Sequence, residues 1–325
     1  MLITGMAGFI GSNLASHALN CEWNVIGLDN FQTGNAENVN RIASMASDAF
    51  DFVEGDIRDS GLINKLVSEC SSVVHLAAQP SVIRSMADPS ETVSINVEGF
   101  VSVAKAAAKN KIKHFIYASS CAVYGDCEDI PLQECAVARP LSPYAASKLS
   151  DEFFALALEG NASDFKPIGF RFFNIYGPWQ DPGGAYAAVI PKWISKRLAG
   201  QAPVIFGDGT AVRDFCYVGD ICRLISHICG KDCKDSGVYN VGTGKGLSLI
   251  ELDEVIKTEL GHSGLSGVKL APIFKSKRPG EILKSVSDPT RLESVFGFKA
   301  ETTINEGVRE ILQQQYGVFK KEQGI

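Results

Sequence analysis

The sequence predicts an α/β fold, a doubly wound parallel sheet with helices on both faces, joined to a smaller C-terminal α/β lobe. Three observations predict it. The chain opens on a short apolar strand, Met1 to Thr4, which runs directly into a turn carrying Gly5, Gly8 and Gly11 and then into helical spacing from Ser12 to Leu19. A second apolar strand, Val25 to Asp29, ends in an acid 18 residues after Gly11. Short apolar strands and helix-length stretches then alternate, with no internal repeat and no low-complexity run. The 325 residues, 45% hydrophobic and 21% charged, suffice for one large core or two intimate lobes.

Composition excludes several classes. A net charge of −6 argues against a general nucleic-acid or anionic-membrane binder. No apolar run approaches the roughly 20 residues of a membrane span. No basic segment precedes a short apolar one, so a secretory signal is not expected. Nine cysteines without a CxxC pair read as reduced, buried thiols in a cytoplasmic protein, and no metal site is expected. The first strand starts at residue 1 without a lead-in, which leaves open whether residues are missing upstream.

The opening strand, glycine turn and helix have the form of a dinucleotide-binding unit. Gly5 lets the backbone turn, Gly8 lets a pyrophosphate approach, and Gly11 lets the helix pack on the strand. The helix N-terminus then presents N–H groups and the positive end of its dipole to the phosphates. Asp29 is placed to bind ribose hydroxyls and to repel a 2′-phosphate. Asn30 follows, and no arginine appears between it and Arg41, so the expected cofactor is NAD rather than NADP. Residues 33–49 are polar and read as loop plus a short helix. Phe52 to Asp59 reads as a third strand and turn, with Asp56 placed for the adenine amino group. Leu62 to Cys70 has helical spacing. Val73 to Ala78 reads as a strand whose small end, Leu76, Ala77 and Ala78, lets a ribose or pyrophosphate lie against the backbone. His75 within it reads as a packed strand residue. Glu91 to Lys109 is expected to be one helix containing Asn96, and its alanine-rich stretch suits close packing in a homodimer.

Phe115 to Ala118 predicts a strand that runs into Ser119 and Ser120. In the following PYAASK segment, Tyr144 and Lys148 stand at i and i+4 and share a helix face. An ammonium beside a phenol lowers its pKa from about 10 toward working pH. A serine on a neighbouring strand end can hydrogen-bond the substrate hydroxyl. Together these are a general base, its tuner and an orienter. Downstream, strands are expected over Pro167 to Phe172, Val204 to Phe206 and Val238 to Val241. Helices are expected over Ala185 to Leu198, Leu247 to Leu260, Thr290 to Phe296 and Thr303 to Tyr316. Phe215 to Ile228 and the strand from Val238 are expected to return to the large domain.

The segments TGMAGFIGSNL, LDNF, GDIRD, HLAAQPSV, YASSCAVYG, SPYAASK, RFFNIYGP, VRDFCYVGD, YNVGTG and RPGE carry a resemblance over essentially the whole chain. It resembles an extended short-chain dehydrogenase/reductase of the sugar-nucleotide epimerase/dehydratase group. The resemblance implies a Rossmann-type NAD-binding domain over residues 1–173, with returning segments near 215–242, and a UDP-sugar-binding lobe over 174–325. It implies that Tyr144 is the base, that Lys148 binds the nicotinamide ribose and tunes Tyr144, and that Ser120 is the third catalytic member. The implied NAD contacts are Gly5, Gly8, Phe9, Ile10, Gly11, Asp29, Asn30, Asp56, Ile57, Leu76, Ala77, Ala78, Asn96, Tyr144, Lys148 and Phe172. The implied sugar-nucleotide contacts are Ser81, Val82, Ser120, Asn174, Ala188, Val189, Val204, Phe206, Arg213, Arg278, Glu281 and Ser285. Among these, Arg213 and Arg278 suit a pyrophosphate, because a guanidinium pairs with it through two hydrogen bonds.

Within that family, dehydrating members carry an Asp–Glu acid/base pair just after the serine or threonine. Here those positions are Cys121 and Ala122, so hydride removal and return is implied rather than loss of water. The segment from Gln180 to Trp193 resembles epimerases that act on UDP-N-acetylglucosamine and UDP-N-acetylgalactosamine. Ser285, seven residues after Arg278, is at a site that borders the sugar C2 substituent, where a tyrosine excludes an N-acetyl group and a serine leaves room. The implied reaction is NAD-dependent C4 epimerisation of UDP-N-acetylglucosamine through a 4-keto sugar. UDP-glucose epimerisation, uronate epimerisation or decarboxylation, and an inactive NAD-binding sensor remain alternatives.

Overall fold

The opening strand is apolar and wholly buried, as a strand covered by helices on both faces must be. The structure is a computed structural model that describes residues 1–45, 48–161, 164–183, 188–233, 235–262, 270–277 and 282–317. The first half runs β1 (Leu2–Thr4), α1 (Phe9–Asn20), β2 (Val25–Asp29), α2 (Ala36–Ala43), β3 (Phe50–Glu54), α3 (Ser60–Ser68), β4 (Ser72–His75), α4 (Val82–Ala87), α5 (Pro89–Thr92), α6 (Gly99–Lys109), β5 (His114–Ser120), α7 (Pro143–Asn161) and β6 (Pro167–Phe172). The second half runs β7 (Asn174–Tyr176), α8 (Val189–Leu198), β8 (Val204–Phe206), β9 (Val212–Tyr217), α9 (Val218–Cys229), β10 (Gly237–Val241), β11 (Gly246–Ser248), α10 (Leu249–His262), β12 (Ile273–Lys275), β13 (Lys284–Ser285), α11 (Thr290–Phe296) and α12 (Ile304–Tyr316).

Seven parallel strands form the large sheet in the order β10-β6-β5-β4-β1-β2-β3. Alternate side chains feed two cores, as the period of two requires. Ile3, Val74 and Ile116 join α1 and α9 on one face. Leu2, Val73, Phe115 and Tyr117 join α3 and α6 on the other. The expected doubly wound sheet is therefore present. In the smaller sheet, β9 pairs with β11, β13 and β7, and β8 pairs with β12 beside it. Among the described residues no helix is long and apolar enough to cross a membrane.

Three elements differ from the sequence reading. The helix expected over Glu91 to Lys109 is interrupted by a π-helical turn, Val93–Glu98, which contains Asn96. The fourth strand stops at His75, because Leu76 and Ala77 peel off to hydrogen-bond Thr4. The helix expected from Ala185 is described from Val189 onward; residues 185–187 lie outside the described residues.

Candidate active site

The strand order reverses at β1, whose neighbours are β2 and β4, and in open α/β sheets a ligand binds beyond the carboxyl ends of the strands at such a point. Gly5 turns the chain there with φ +72°, and a Cβ on it would stand 2.7 Å from the Ala77 amide nitrogen. A Cβ on Gly11 would collide with the Gly5 carbonyl. Gly8 differs: its Cβ would meet Gly5 O at 3.1 Å and otherwise point into open space. No side chain caps α1, which begins at Phe9, so the N–H groups of Phe9, Ile10 and Gly11 face the same point. Asp29 closes one side. It accepts the Ala7 N–H at 3.0 Å and the Phe31 N–H at 2.8 Å, and each oxygen keeps a lone pair for a hydroxyl. Burial raises its carboxyl above the usual value, against these backbone bonds.

Asn30 donates to Asp56 at 3.0 Å, and Arg58 grips the same carboxylate through Nε and Nη2, holding it down at about 2. Ile57 is buried against Gly99. On the opposite side, Leu76 N–H donates to Thr4 O at 3.1 Å and Ala77 N–H to Thr4 Oγ1 at 3.3 Å, and Ala78 follows. A glycine turn, an uncapped helix end, a wall of small residues and a strand-end carboxylate fit a dinucleotide. Asn96 was expected to touch the cofactor. Its Oδ1 accepts Gln79 N–H at 2.8 Å, and its two amide hydrogens go to Gln79 O at 3.2 Å and Ser147 Oγ at 2.9 Å. In this arrangement Asn96 holds the wall to α7.

Ser120 ends β5 opposite Phe172 of β6. Its Oγ accepts the Ala122 N–H at 3.2 Å, which starts a 3₁₀ turn over Cys121–Tyr124. Tyr144, at the start of α7, hydrogen-bonds Ser120. One turn on, the Lys148 ammonium is buried and stands 3.3 Å from Asp151 Oδ2. Lys148 draws the Tyr144 phenol down, as expected, but the net shift is upward. Burial raises the phenol, and that exceeds the lowering by Lys148 and by the Ser120 hydrogen bond. The ammonium also shares its charge with Asp151. His75 is a buried strand residue, its Nδ1 2.8 Å from Thr4 Oγ1, and burial with the nearby Lys148 charge pushes it down to about 3, so it is neutral.

The smaller sheet brings up further residues. Ser285 lies beside Arg213 in the β13–β9 register and is buried. The Cys121 thiol, pushed up to about 11 by burial, takes a hydrogen bond from Ser285 and feels the charge of Arg213. Cys121 in turn acts on Tyr144. Ser120, Cys121, Tyr144, Arg213 and Ser285 therefore converge where the two sheets meet. Arg213 Nη1 donates to Val212 O at 2.9 Å. Asn174 donates to Asp214 O at 3.2 Å. Val204 and Phe206 lie on β8, and Val204 O accepts the Trp193 indole at 3.3 Å. Ala188 caps α8 and Val189 begins it. Ser81 caps α4 by accepting Arg84 N–H at 3.1 Å, and Val82 after it is exposed. Arg278 and Glu281 lie outside the described residues.

Two buried carboxylates that organise this region escaped the sequence reading. Glu152 on α7 accepts Ser119 Oγ at 2.5 Å and pairs with Arg171 at 2.9 and 2.7 Å. Arg171 also lies over the Tyr124 ring. This cluster fixes the strand end that carries Ser120. Asp214 accepts the N–H and hydroxyl of Thr243, the N–H of Gly244, and the N–H and hydroxyl of Ser287. It thereby ties the loop after β10 to the segment that presents Ser285. A helix-spaced Glu within α7 was visible in the sequence; its partner in another strand was not.

Residues 1–242 match the model of the NAD dependent epimerase/dehydratase family. A UDP-glucose 4-epimerase of Mycolicibacterium smegmatis is 36% identical over 96% of this chain and 97% of its own. Two solved structures superpose over nearly the whole length. The UDP-N-acetylglucosamine 4-epimerase of Methanobrevibacter ruminantium, in complex with UDP-N-acetylmuramic acid, has a TM-score of 0.89 at 33% identity, covering 97% of both chains. The UDP-glucose 4-epimerase of Thermotoga maritima, with UDP-glucose, has a TM-score of 0.88 at 31% identity, covering 97% of this chain and 98% of its own.

Proposed function

Since the chain belongs to the NAD dependent epimerase/dehydratase family, we propose that it is a UDP-sugar 4-epimerase that interconverts UDP-N-acetylglucosamine and UDP-N-acetylgalactosamine, and more slowly the plain glucose and galactose pair. The observation that carries the reading is the convergence of Ser120, Tyr144 and Lys148 with a small residue, Ser285, beside them. NAD, held by the glycine turn, Asp29 and Lys148, supplies the acceptor and donor of the C4 hydride. Tyr144, oriented by Ser120, takes the O4 proton and later returns it. Lys148 and the Ser120 hydrogen bond favour the ionised phenol, against the burial that raises it.

Cys121 and Ala122 supply no acid for expelling water, which favours epimerisation over dehydration. Arg213, with Arg278, anchors the diphosphate so that the 4-keto sugar can turn over between oxidation and reduction. In this reading residues 1–173, with segments near 215–242, hold NAD, and 174–325 hold the UDP-sugar. A glucose-only epimerase is the second reading, favoured by the relatives that act on UDP-glucose. Incubation of the purified chain with each UDP-sugar, followed by NMR of the products, tests both. The expected result is conversion of UDP-N-acetylglucosamine at a higher kcat/KM than UDP-glucose. Conversion of UDP-glucose alone selects the second reading, and conversion of neither after NAD is added refutes both.

We also propose a homodimer. Leu149, Phe153 and Leu156 follow i, i+4, i+7 along α7, and Phe153 and Leu156 are 64% and 65% exposed. Val93, on the adjoining π turn, is 49% exposed. Two copies of such a face bury each other about a two-fold axis. The double variant Phe153→Glu, Leu156→Glu is expected to sediment as a monomer while the parent sediments at twice the chain mass. A parent that sediments at a single chain mass overturns the dimer.

A further inference from the structure

Asp151 has no part in the mechanism above, yet its carboxylate is fully buried three residues from Lys148. Tyr144, Lys148 and Asp151 stand at 0, +4 and +7 on α7 and so share a face. Asp151 Oδ2 lies 3.3 Å from the Lys148 ammonium, while Oδ1 finds no partner among the described residues. A carboxylate so poorly hydrogen-bonded in an apolar site is not there for stability, since a neutral side chain of the same size fits with less desolvation cost. Among the described residues its ion-pair partner is the lysine that the proposed chemistry depends on.

We propose that Asp151 is a positioning residue, the buried counter-charge that holds the Lys148 ammonium in place along the Tyr144 face during turnover. The proposal rests on the epimerase reading. The groups facing these residues are few. Lys148 faces Asp151 on its own helix and His75 on β4, which is neutral. Tyr144 faces Lys148, Ser120, Cys121 and Asp151, and the direct repulsion from Asp151 is the weakest of these influences. Asp151 faces Lys148, Glu152, whose charge is paired with Arg171, and the Tyr117 phenol on β5, which burial keeps neutral. The effect of Asp151 on Tyr144 is therefore exerted through Lys148.

Burial pushes the Asp151 carboxyl up to about 7, with Lys148 pulling the other way. The sign follows. Below that pH Asp151 carries a proton and Lys148 lacks its counter-charge; above it the pair is complete. Asp151→Asn holds the low-pH state at every pH. Measured as kcat against pH on the UDP-sugar that the parent converts, Asp151→Asn is expected to match the parent near pH 5.5–6 and to fall about tenfold behind it at pH 8–9. Asp151→Glu is expected to restore most of the alkaline rate. A deficit of the same size at all pH values, or none, overturns the proposal, and melting temperatures of both variants separate a folding defect from the charge effect. If the parent itself converts no UDP-sugar, the function reading fails instead.

Discussion

Tyr144→Phe is expected to lower turnover by about 10²–10⁴-fold, the usual contribution of a positioned acid–base group, while leaving fold and NAD content unchanged. The substitution removes one oxygen. Ser120, which shares a hydrogen bond with that oxygen, still accepts the Ala122 N–H at 3.2 Å, so the strand end keeps a partner. Asp29, the glycine turn and Lys148 are untouched, so the residues assigned to NAD other than Tyr144 itself remain. Circular dichroism and the absorbance of bound nucleotide establish that the variant is folded and loaded, and NMR of the product mixture gives kcat. KM is expected to stay within about threefold, because the phenol acts on the reacting oxygen rather than on the nucleotide handle. A variant that retains more than a tenth of parental kcat excludes Tyr144 as the base. Burial raises the phenol in the free protein, while Lys148 and Ser120 pull it the other way.

Much of this was legible in the sequence because the signals are local. β2 falls on Val25–Asp29 and β6 on Pro167–Phe172, as the apolar runs indicated. The i, i+4 spacing of Tyr144 and Lys148 and the glycine spacing are properties of single short segments, and such segments fold the same way in many contexts. What stayed hidden depends on partners far along the chain. Asp214 meets Ser287, 73 residues away, and Thr243, 29 away. Both carboxylates of VRDFCYVGD, Asp214 and Asp220, are fully buried, and nothing in that segment says which distant residues each will meet. The π turn at Val93–Glu98 has the composition of an ordinary helix, and the contacts of Asn96 within it, to Gln79 and Ser147, are tertiary and not legible in the segment itself. The direction of the Tyr144 shift was misjudged for the same reason. Spacing reveals the ammonium, which does lower the phenol, but the burial that outweighs it comes only with the packed core.

Ser285→Tyr is expected to reverse the preference between sugars. Ser285 is 8% exposed, beside Arg213 in the sheet register and hydrogen-bonded to the Cys121 thiol, which itself borders Tyr144. A tyrosine ring projecting from this strand fills space next to the proposed base, where the proposed C2 N-acetyl group has to lie. A C2 hydroxyl is small enough to avoid it. The expected result is a fall of about 10²-fold in kcat/KM for UDP-N-acetylglucosamine, against a change within about threefold for UDP-glucose. Ser285→Ala serves as the matched control, since it removes the hydrogen bond to Cys121 but keeps the room, and both substrates should remain within about threefold of the parent. Equal losses on both substrates in Ser285→Tyr, with the melting temperature preserved, sink the assignment of this position to the C2 pocket. The asymmetry of the expectation has a physical basis. A small side chain admits either sugar without selecting one, so the role proposed for Ser285 is to leave room for an N-acetyl group. A bulky side chain builds a clash against one sugar only, so the tyrosine variant isolates the steric part of the selectivity from whatever contacts attract the N-acetyl group in the parent.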